Sequence, residues 1–432
     1  MTPKTSGRPG GIREIWLEKN LRWYFGTQLF SLAGQMLRSS LLSLFIIDAV
    51  GVKNAPPYVG AVWALNVMPG AFLGSIAGMF IDRYDKRKIL QVTAVLGIIQ
   101  ALLLSIITLG DPHRVAMWQI VSVMAFTGLT NTVDAIGRNS IVKDAVTKRD
   151  NDRLAYITFT ALYTIAMIVG NGMSGYLVLW IGYTPSFLLN GLSFIILIVG
   201  LRRMNFDHLS AKIAPKPGLS SMLHDVIVGV KYAFTAPGIC TCILVSAAIT
   251  IFGFAYNVIT PVMAKAMFNG GPKEYSFLAS TASFGSLVAA VIVIIWGAKA
   301  PKKFVVLGCL ITGSAHLALS QTVNIHNGAI AMFFCGFGFM TAFLPIRGAM
   351  AHLIKESLIS TVIGITFQFF FGGMMLSSFA AGFLAKRFGC PVVLIGCGVA
   401  LITIGAITPY LPGIKEIDPK PKEANLHLGE AK

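Results

Sequence analysis

Twelve mostly apolar runs, each long enough to cross a bilayer, punctuate this chain of 432 residues, and short polar or basic segments separate them. A run of about 20 such residues advances about 30 Å as an α-helix. In hydrocarbon only a helix or a closed barrel satisfies every backbone N–H and C=O. The expected spans are 22–47, 57–81, 89–110, 115–137, 154–181, 184–200, 238–264, 276–297, 304–321, 328–349, 360–384 and 390–411. With 55% hydrophobic and 12% charged residues, the chain holds more apolar surface than a soluble core could hide, so the bilayer is its solvent. The expected fold class is therefore an all-α integral membrane protein of twelve helices in two six-helix halves.

Lysine and arginine orient the spans, because these residues resist translocation. The two tails and the loops between spans 2/3, 4/5, 6/7, 8/9 and 10/11 carry 28 of them; the six loops of the other side carry 6. Arg38 alone is counted inside a span, the arginines at span ends being counted with the adjoining tail or loop. Both termini are thus expected in the cytoplasm, in a multi-pass protein of a bacterial inner membrane, with the first span retained as an anchor for want of a cleavage site. The net charge of +17 sits in loops rather than on one helix face, which argues for anionic lipid as partner and against nucleic acid. Six cysteines lack metal-site spacing, so they read as plain thiols.

The expected organisation is a tail over 1–21, a six-helix bundle over 22–200, a linker over 201–237, a second bundle over 238–411 and a tail over 412–432. Within the linker, Met222, Val226, Val230 and Ala233 recur at helical spacing, as in an amphipathic helix lying on the inner surface. A plain linker helix fits the same spacing. Gly175-Tyr-Leu-Val-Leu-Trp-Ile-Gly182 in span 5 echoes Gly382-Phe-Leu-Ala-Lys-Arg-Phe-Gly389 in span 11, 207 residues later. Duplication of a six-helix unit accounts for the echo, and a path between repeats near the midplane is the corresponding transporter plan.

Three polar sets stand out. In span 1, Gln28, Ser31, Gln35, Arg38 and Ser39 share one narrow helical face, and a charge at the depth of Arg38 needs water, a partner or a route to the interface. We read Arg38 as lining a central cavity and attracting an anion, with pairing to neighbouring helices as the alternative. In span 5, Tyr156, Thr160, Tyr163, Thr164, Met167, Asn171 and Ser174 form a second stripe, and span 4 adds Thr127, Asn131, Asp134 and Arg138. These suit a bulky amphipathic molecule but equally suit hydrogen bonding between helices. Asn257 near Pro261, Gln368 and Arg347 are candidates in the second half. No carboxylate stands at the midplane as an evident proton carrier.

The loop between spans 2 and 3 reads Gly78-Met-Phe-Ile-Asp82-Arg83-Tyr-Asp85-Lys86-Arg87-Lys88. It resembles the signature of the major facilitator superfamily. That resemblance implies a conformational latch of Gly78, Asp82, Arg83, Lys86 and Arg87, with the basic residues reaching Asp134 at the inner end of span 4. Nearly the whole chain resembles one branch, the transmembrane secretion effectors, which includes enterobactin exporters and macrolide efflux proteins. The matching segments are Gly26-Thr-Gln28-Leu-Phe-Ser31-Leu-Ala-Gly34, Arg138-Asn-Ser-Ile-Val-Lys-Asp144-Ala-Val146 and Phe187-Leu-Leu-Asn190-Gly-Leu-Ser193-Phe194. Gly170-Asn-Gly172 stands where an antiporter signature has Gly-Pro, and loop 8/9 lacks an Asp, which weakens a drug/proton antiporter label.

GxxxxGK[ST], HExxH and GxSxG are absent, so neither direct use of ATP nor hydrolysis is expected, and no cofactor or metal is implied. The resemblance implies a monomeric secondary transporter exporting a small amphipathic molecule, a siderophore or drug-like compound, driven by the proton gradient. A lysophospholipid flippase, a siderophore or nutrient importer, and a non-transporting receptor or scaffold are the alternatives.

Overall fold

The computed structural model describes residues 18–146, 152–204, 227–228, 230–297, 300–354 and 359–417. Helices account for nearly all of them: α1 Lys19–Val50, α2 Ala55–Arg83, α3 Lys86–Ile107, α4 Met117–Ala145, α5 Asp152–Ile181 and α6 Tyr183–Arg203, then a broken seventh element, α7a Pro237–Gly253 and α7b Ala255–Ala266, followed by α8 Pro272–Trp296, α9 Pro301–Ser320, α10 Ile325–Leu353, α11 Ile359–Phe388 and α12 Cys390–Ile407. Counting the two parts of the seventh as one, twelve are long and apolar enough to cross a membrane. Each coincides with an expected span. The largest differences are in α4, which runs eight residues beyond the expected 137, and in the break at Phe254.

Local chemistry fixes the ends. Asp85 caps α3, its carboxylate accepting from the Arg87 backbone N–H at 2.9 Å. Glu274 reaches back to the Gly271 N–H at 2.7 Å as α8 begins at Pro272. Gly182 and Gly389, the last residues of the two echoing segments, have φ of 80° and 85°. A residue without Cβ takes that left-handed conformation freely, which lets α5 turn into α6 and α11 into α12 with no intervening loop. In α7b, Pro261 lacks the N–H that the carbonyl of residue 257 would accept, weakening the helix just beyond its break.

Inside the first half α1 packs on α5 and α6, α2 on α4, and α3 on α4 and α6; inside the second, α8 and α9 pack on α10, α9 on α12, and α7a on α11. Two antiparallel pairs join the halves, α2 with α11 and α5 with α8. The apolar cores show how deep that junction runs. One core draws on both halves: Leu41, Phe45, Val59, Leu177, Val262, Leu278, Leu319 and Leu394 all belong to it. Its members come from the ends of odd-numbered helices and the starts of even-numbered ones, so it fills the end of the bundle away from the basic loops. At the basic end the cores are separate. Leu21, Phe25, Leu90, Val142 and Leu201 form one within the first half, and Ile239, Val305, Ile346 and Val362 form the other within the second. The fully buried apolar core, whose burial contributes about 25 cal/mol per Å², is therefore shared by the halves at one end only, although α2 and α11 stay in contact as far as Ser75 and Gly364.

Of the expected linker helix, Met222 and Val226 lie outside the described residues; 230–235 are helical, with Val230 exposed and Ala233 buried. The expected tail at 412 starts too early, because Ile414 and Ile417 are buried in the second half's basic-end core.

Candidate transport path

The span 1 stripe faces into the first half. Gln28 Oε1 and Ser31 Oγ accept from Arg138 Nη1 and Nη2 at 2.7 and 3.0 Å. Arg138 Nε meets Asp134 Oδ2 at 2.5 Å, and the same carboxylate accepts from Gln35 Nε2 at 2.8 Å and Thr93 Oγ1 at 3.1 Å. Arg38 Nη1 donates to Gln100 Oε1 at 3.1 Å, and Gln100 Nε2 donates to Thr130 at 2.6 Å. Arg38, Arg138 and Asp134 are 1%, 2% and 4% exposed. The expectation that Gln28, Ser31 and Arg38 line a cavity is thus corrected. A guanidinium at that depth is more stable enclosed by α3 and α4 than presented to lipid, and the rest of the stripe follows it inward. The cluster holds two guanidiniums and one carboxylate, and Arg38 Nε and Gln28 Nε2 have no hydrogen-bond partner.

The half-buried edge of this network forms a wall. Gln35 stands there, with Asn66 and Asn131 joined at 2.5 Å. Tyr163 is 37% exposed on α5, which pairs with α8 of the second half. In the second half Arg347 is exposed and stands beside α11, the helix that pairs with α2 of the first half. Exposed polar side chains at the helices that join the halves mark an internal cleft rather than an outer face. Arg347 belongs to α10, not to the loop with which its charge was counted. Its guanidinium lies 4.7 Å from the Phe367 ring centroid and 5.9 Å from that of Phe343. Asn257 is half-buried just past the break in the seventh span, and Thr160 is half-buried on α5. The side chain of Tyr156 lies outside the described residues.

Two expected cavity residues are ties instead. Asn171 accepts from Ser40 at 3.0 Å and donates to Ser283 of α8 at 3.1 Å. Gln368 accepts from Ser75 at 2.7 Å and donates to the Phe72 carbonyl at 3.2 Å, joining α11 to α2.

At the end away from the basic loops the halves are sealed. Asp48 accepts from Tyr183 at 2.6 Å and from Lys265 of the second half at 3.2 Å. Tyr275 donates to Ser40 at 3.0 Å, and Ser276 Oγ meets Ser174 Oγ at 2.8 Å and the Gly175 N–H at 2.6 Å. Here the sequence echo reappears. A Cβ on Gly175 would strike the carbonyl of Pro272 at the start of α8, and one on Gly382 would meet Gly60 and the carbonyl of Pro56 at the start of α2. Each repeat uses its glycine in the same way, to bring two helices of different halves into backbone contact.

At the basic end, Lys86 Nζ pairs with Asp144 Oδ2 at 2.7 Å, and Arg87 Nη1 donates to the Met204 carbonyl at 3.1 Å. The expected partner Asp134 is corrected to Asp144. Asp134 lies ten residues earlier on α4, about 15 Å deeper, and is consumed by Arg138. Gly78 has open space where a Cβ would project. The side chains of Asp82 and Arg83 lie outside the described residues, though their backbone completes α2. Among the described residues no three metal-binding side chains converge.

Asn66, Thr93, Gln100 and Lys265 were missed in the sequence. Gln100 and Asn66 are single amides in apolar runs, and their isolation was the available signal.

Residues 17–431 match the transmembrane secretion effector family. The uncharacterized MFS-type transporter YfiS of Bacillus subtilis (strain 168) is 19% identical over 403 residues, which is 90% of this chain and 93% of YfiS. Among solved structures, a POT family transporter in complex with a thioalcohol conjugated peptide superposes with a TM-score of 0.72 at 14% identity, covering 92% of this chain and 96% of its own. A POT family transporter in complex with 5-aminolevulinic acid gives 0.70 at 13%, covering 94% and 96%. At those identities the likeness is one of fold.

Proposed function

We propose that this chain, which belongs to the transmembrane secretion effector family, exports a small amphipathic molecule by alternating access. It is a membrane transporter of the major facilitator type; the substrate, the direction and the coupling are our reading. One observation carries it. The core shared by the two halves at one end, set against two separate cores at the other, supports a path closed away from the basic loops and open toward them. The distribution of lysine and arginine supports a cytoplasmic open end. Export then requires the seal around Asp48, Ser40, Ser174 and Gly175 to part while the basic ends approach, a rocking of packed bundles. Family membership supports the outward direction.

Coupling to a proton gradient fits a chain in which Asp134 is the one carboxylate, among the described residues, buried at less than a tenth of its surface. Gln35, Thr93 and Arg138 all donate to it, so a change at this carboxylate is felt throughout the network that joins α1, α3 and α4. The test is efflux of a preloaded panel of radiolabelled amphipathic compounds from cells with and without the protein. Protein-dependent loss that an uncoupler abolishes is expected. Equal loss from both, or protein-dependent gain, would refute export.

A further inference from the structure

We infer that the exported molecule carries an anionic group, which Arg347 binds against a wall of phenylalanines; this rests on reading the cleft between the halves as the transport path. Arg347 combines three properties. It is exposed beside α11, the helix that pairs with α2 of the first half. It makes none of the salt bridges found among the described residues, which join Lys86 to Asp144, Arg138 to Asp134 and Lys265 to Asp48. It is held by two rings, Phe343 and Phe367. Guanidinium over an aromatic face keeps its edge free for a further partner. A structural arginine in a span ordinarily ends on a carboxylate or a backbone carbonyl; this one is positioned and left open.

The surroundings give the chemistry of the missing partner. Phe370 lies 4.7 Å from Phe343, Phe371 lies 5.6 Å from Phe370, and Phe367 stacks at 6.1 Å on Phe371. These rings extend the apolar surface beside the guanidinium and suit a flat, apolar body. The first half contributes a buried cluster with one more positive than negative charge, Arg38 and Arg138 against Asp134. Asp134 is already bonded to three donors, so no carboxylate of that cluster is left to attract a cation. Both walls thus raise the potential for a negative group and lower it for a positive one. A carboxylate or sulfonate would meet the guanidinium fork in two parallel hydrogen bonds. Moving such an anion out of a cell that is negative inside also runs with the membrane potential.

The experiment is equilibrium binding to the purified full chain by calorimetry, using three probes with one ring system: 2-naphthoate, 2-naphthylmethanol and 2-naphthylmethylammonium. Naphthoate is expected to bind at least about tenfold more tightly than the ammonium probe. Arg347→Gln is expected to weaken naphthoate about tenfold and leave the alcohol unchanged, whereas a merely structural arginine would weaken all three alike. Arg347→Lys, with charge but no fork, should fall between, and its elution as a single folded species guards against misfolding. Equal or tighter binding of the ammonium probe, undiminished naphthoate binding by Arg347→Gln, or no binding of naphthoate at millimolar concentration overturns the inference. Protein-dependent efflux of cationic members of the panel alone would overturn it too, and would leave export standing.

Discussion

Replacing Gly175 by Ala should unseat the closed end and shift the transporter toward its opposite conformation. The three atoms nearest a Cβ there are all backbone, the carbonyl O and C of Pro272 and, at 2.8 Å, the N of Lys273. No side chain can swing aside, so α5 and α8 must separate. Overpacking of this kind typically costs about 1–3 kcal/mol. The strain exists only where the two helices touch, so it falls on the closed state and not on a state in which they have parted. Differential energies of about 1–3 kcal/mol move an equilibrium about 5–150-fold. The assay is the labelling rate of Leu278→Cys by a membrane-impermeant maleimide, with the six native cysteines replaced. Leu278 is 0% exposed in the shared core, so it reacts only when that end opens. Gly175→Ala should raise the rate by a factor in that range, and Gly382→Ala should act likewise on the α2–α11 side. Gly396→Ala, with nothing within 4 Å of its Cβ, should leave it unchanged. A folded Gly175→Ala protein that labels at the parent rate would refute the reasoning.

The other predictions concern charge. Asp134→Asn leaves Arg138 buried beside no anion and should lower stability by about 3–5 kcal/mol, seen as a lower melting temperature in detergent; adding Arg138→Gln should restore part of it, and a parental melting temperature in the single variant would contradict the network. Efflux by Asp134→Asn should be slow at every pH, and parental rates with parental pH dependence would remove Asp134 from the coupling. Lys265→Gln breaks a pair whose side chains are 46% and 38% exposed, so Leu278→Cys labelling should rise by less than about fivefold, the effect of under about 1 kcal/mol. Asp144→Asn should likewise change melting little, because its pair with Lys86 is partly solvated.

What could be read from the residues followed from how strongly the solvent constrains them. Hydrocarbon admits no unpaired backbone, so every apolar run became a helix at its expected place. The end of α4 escaped because Asn139, Ser140 and Lys143 are polar yet remain helical beyond the apolar layer, where hydropathy no longer reports on helix formation. Periodicity placed Gln28, Ser31 and Arg38 on one face but could not say which neighbour that face meets. A buried bundle and a wet cleft both accept polar groups, and only the partners Gln100 and Asp134 decide between them. Arg347 was named as a candidate in the second half while its charge was tallied with the loop beside it, since a lone arginine near a span's end reads equally as topology. The echo of Gly175 and Gly382 was legible as duplication; that it marks the closest approach of the halves required Pro272 and Pro56 to be seen beside it.

Alternating access requires the two ends to move in opposite senses, which paired spin-label distances measure directly. One pair, Tyr84 and Lys303, spans the halves at the basic end; the other, Leu109 and Val323, spans them at the sealed end, where both residues are exposed at 71% and 88%. Recorded in lipid with and without an imposed proton gradient, the basic-end distance should shorten in the population whose sealed-end distance lengthens. Distances that stay fixed at both ends, or that lengthen together, would contradict it.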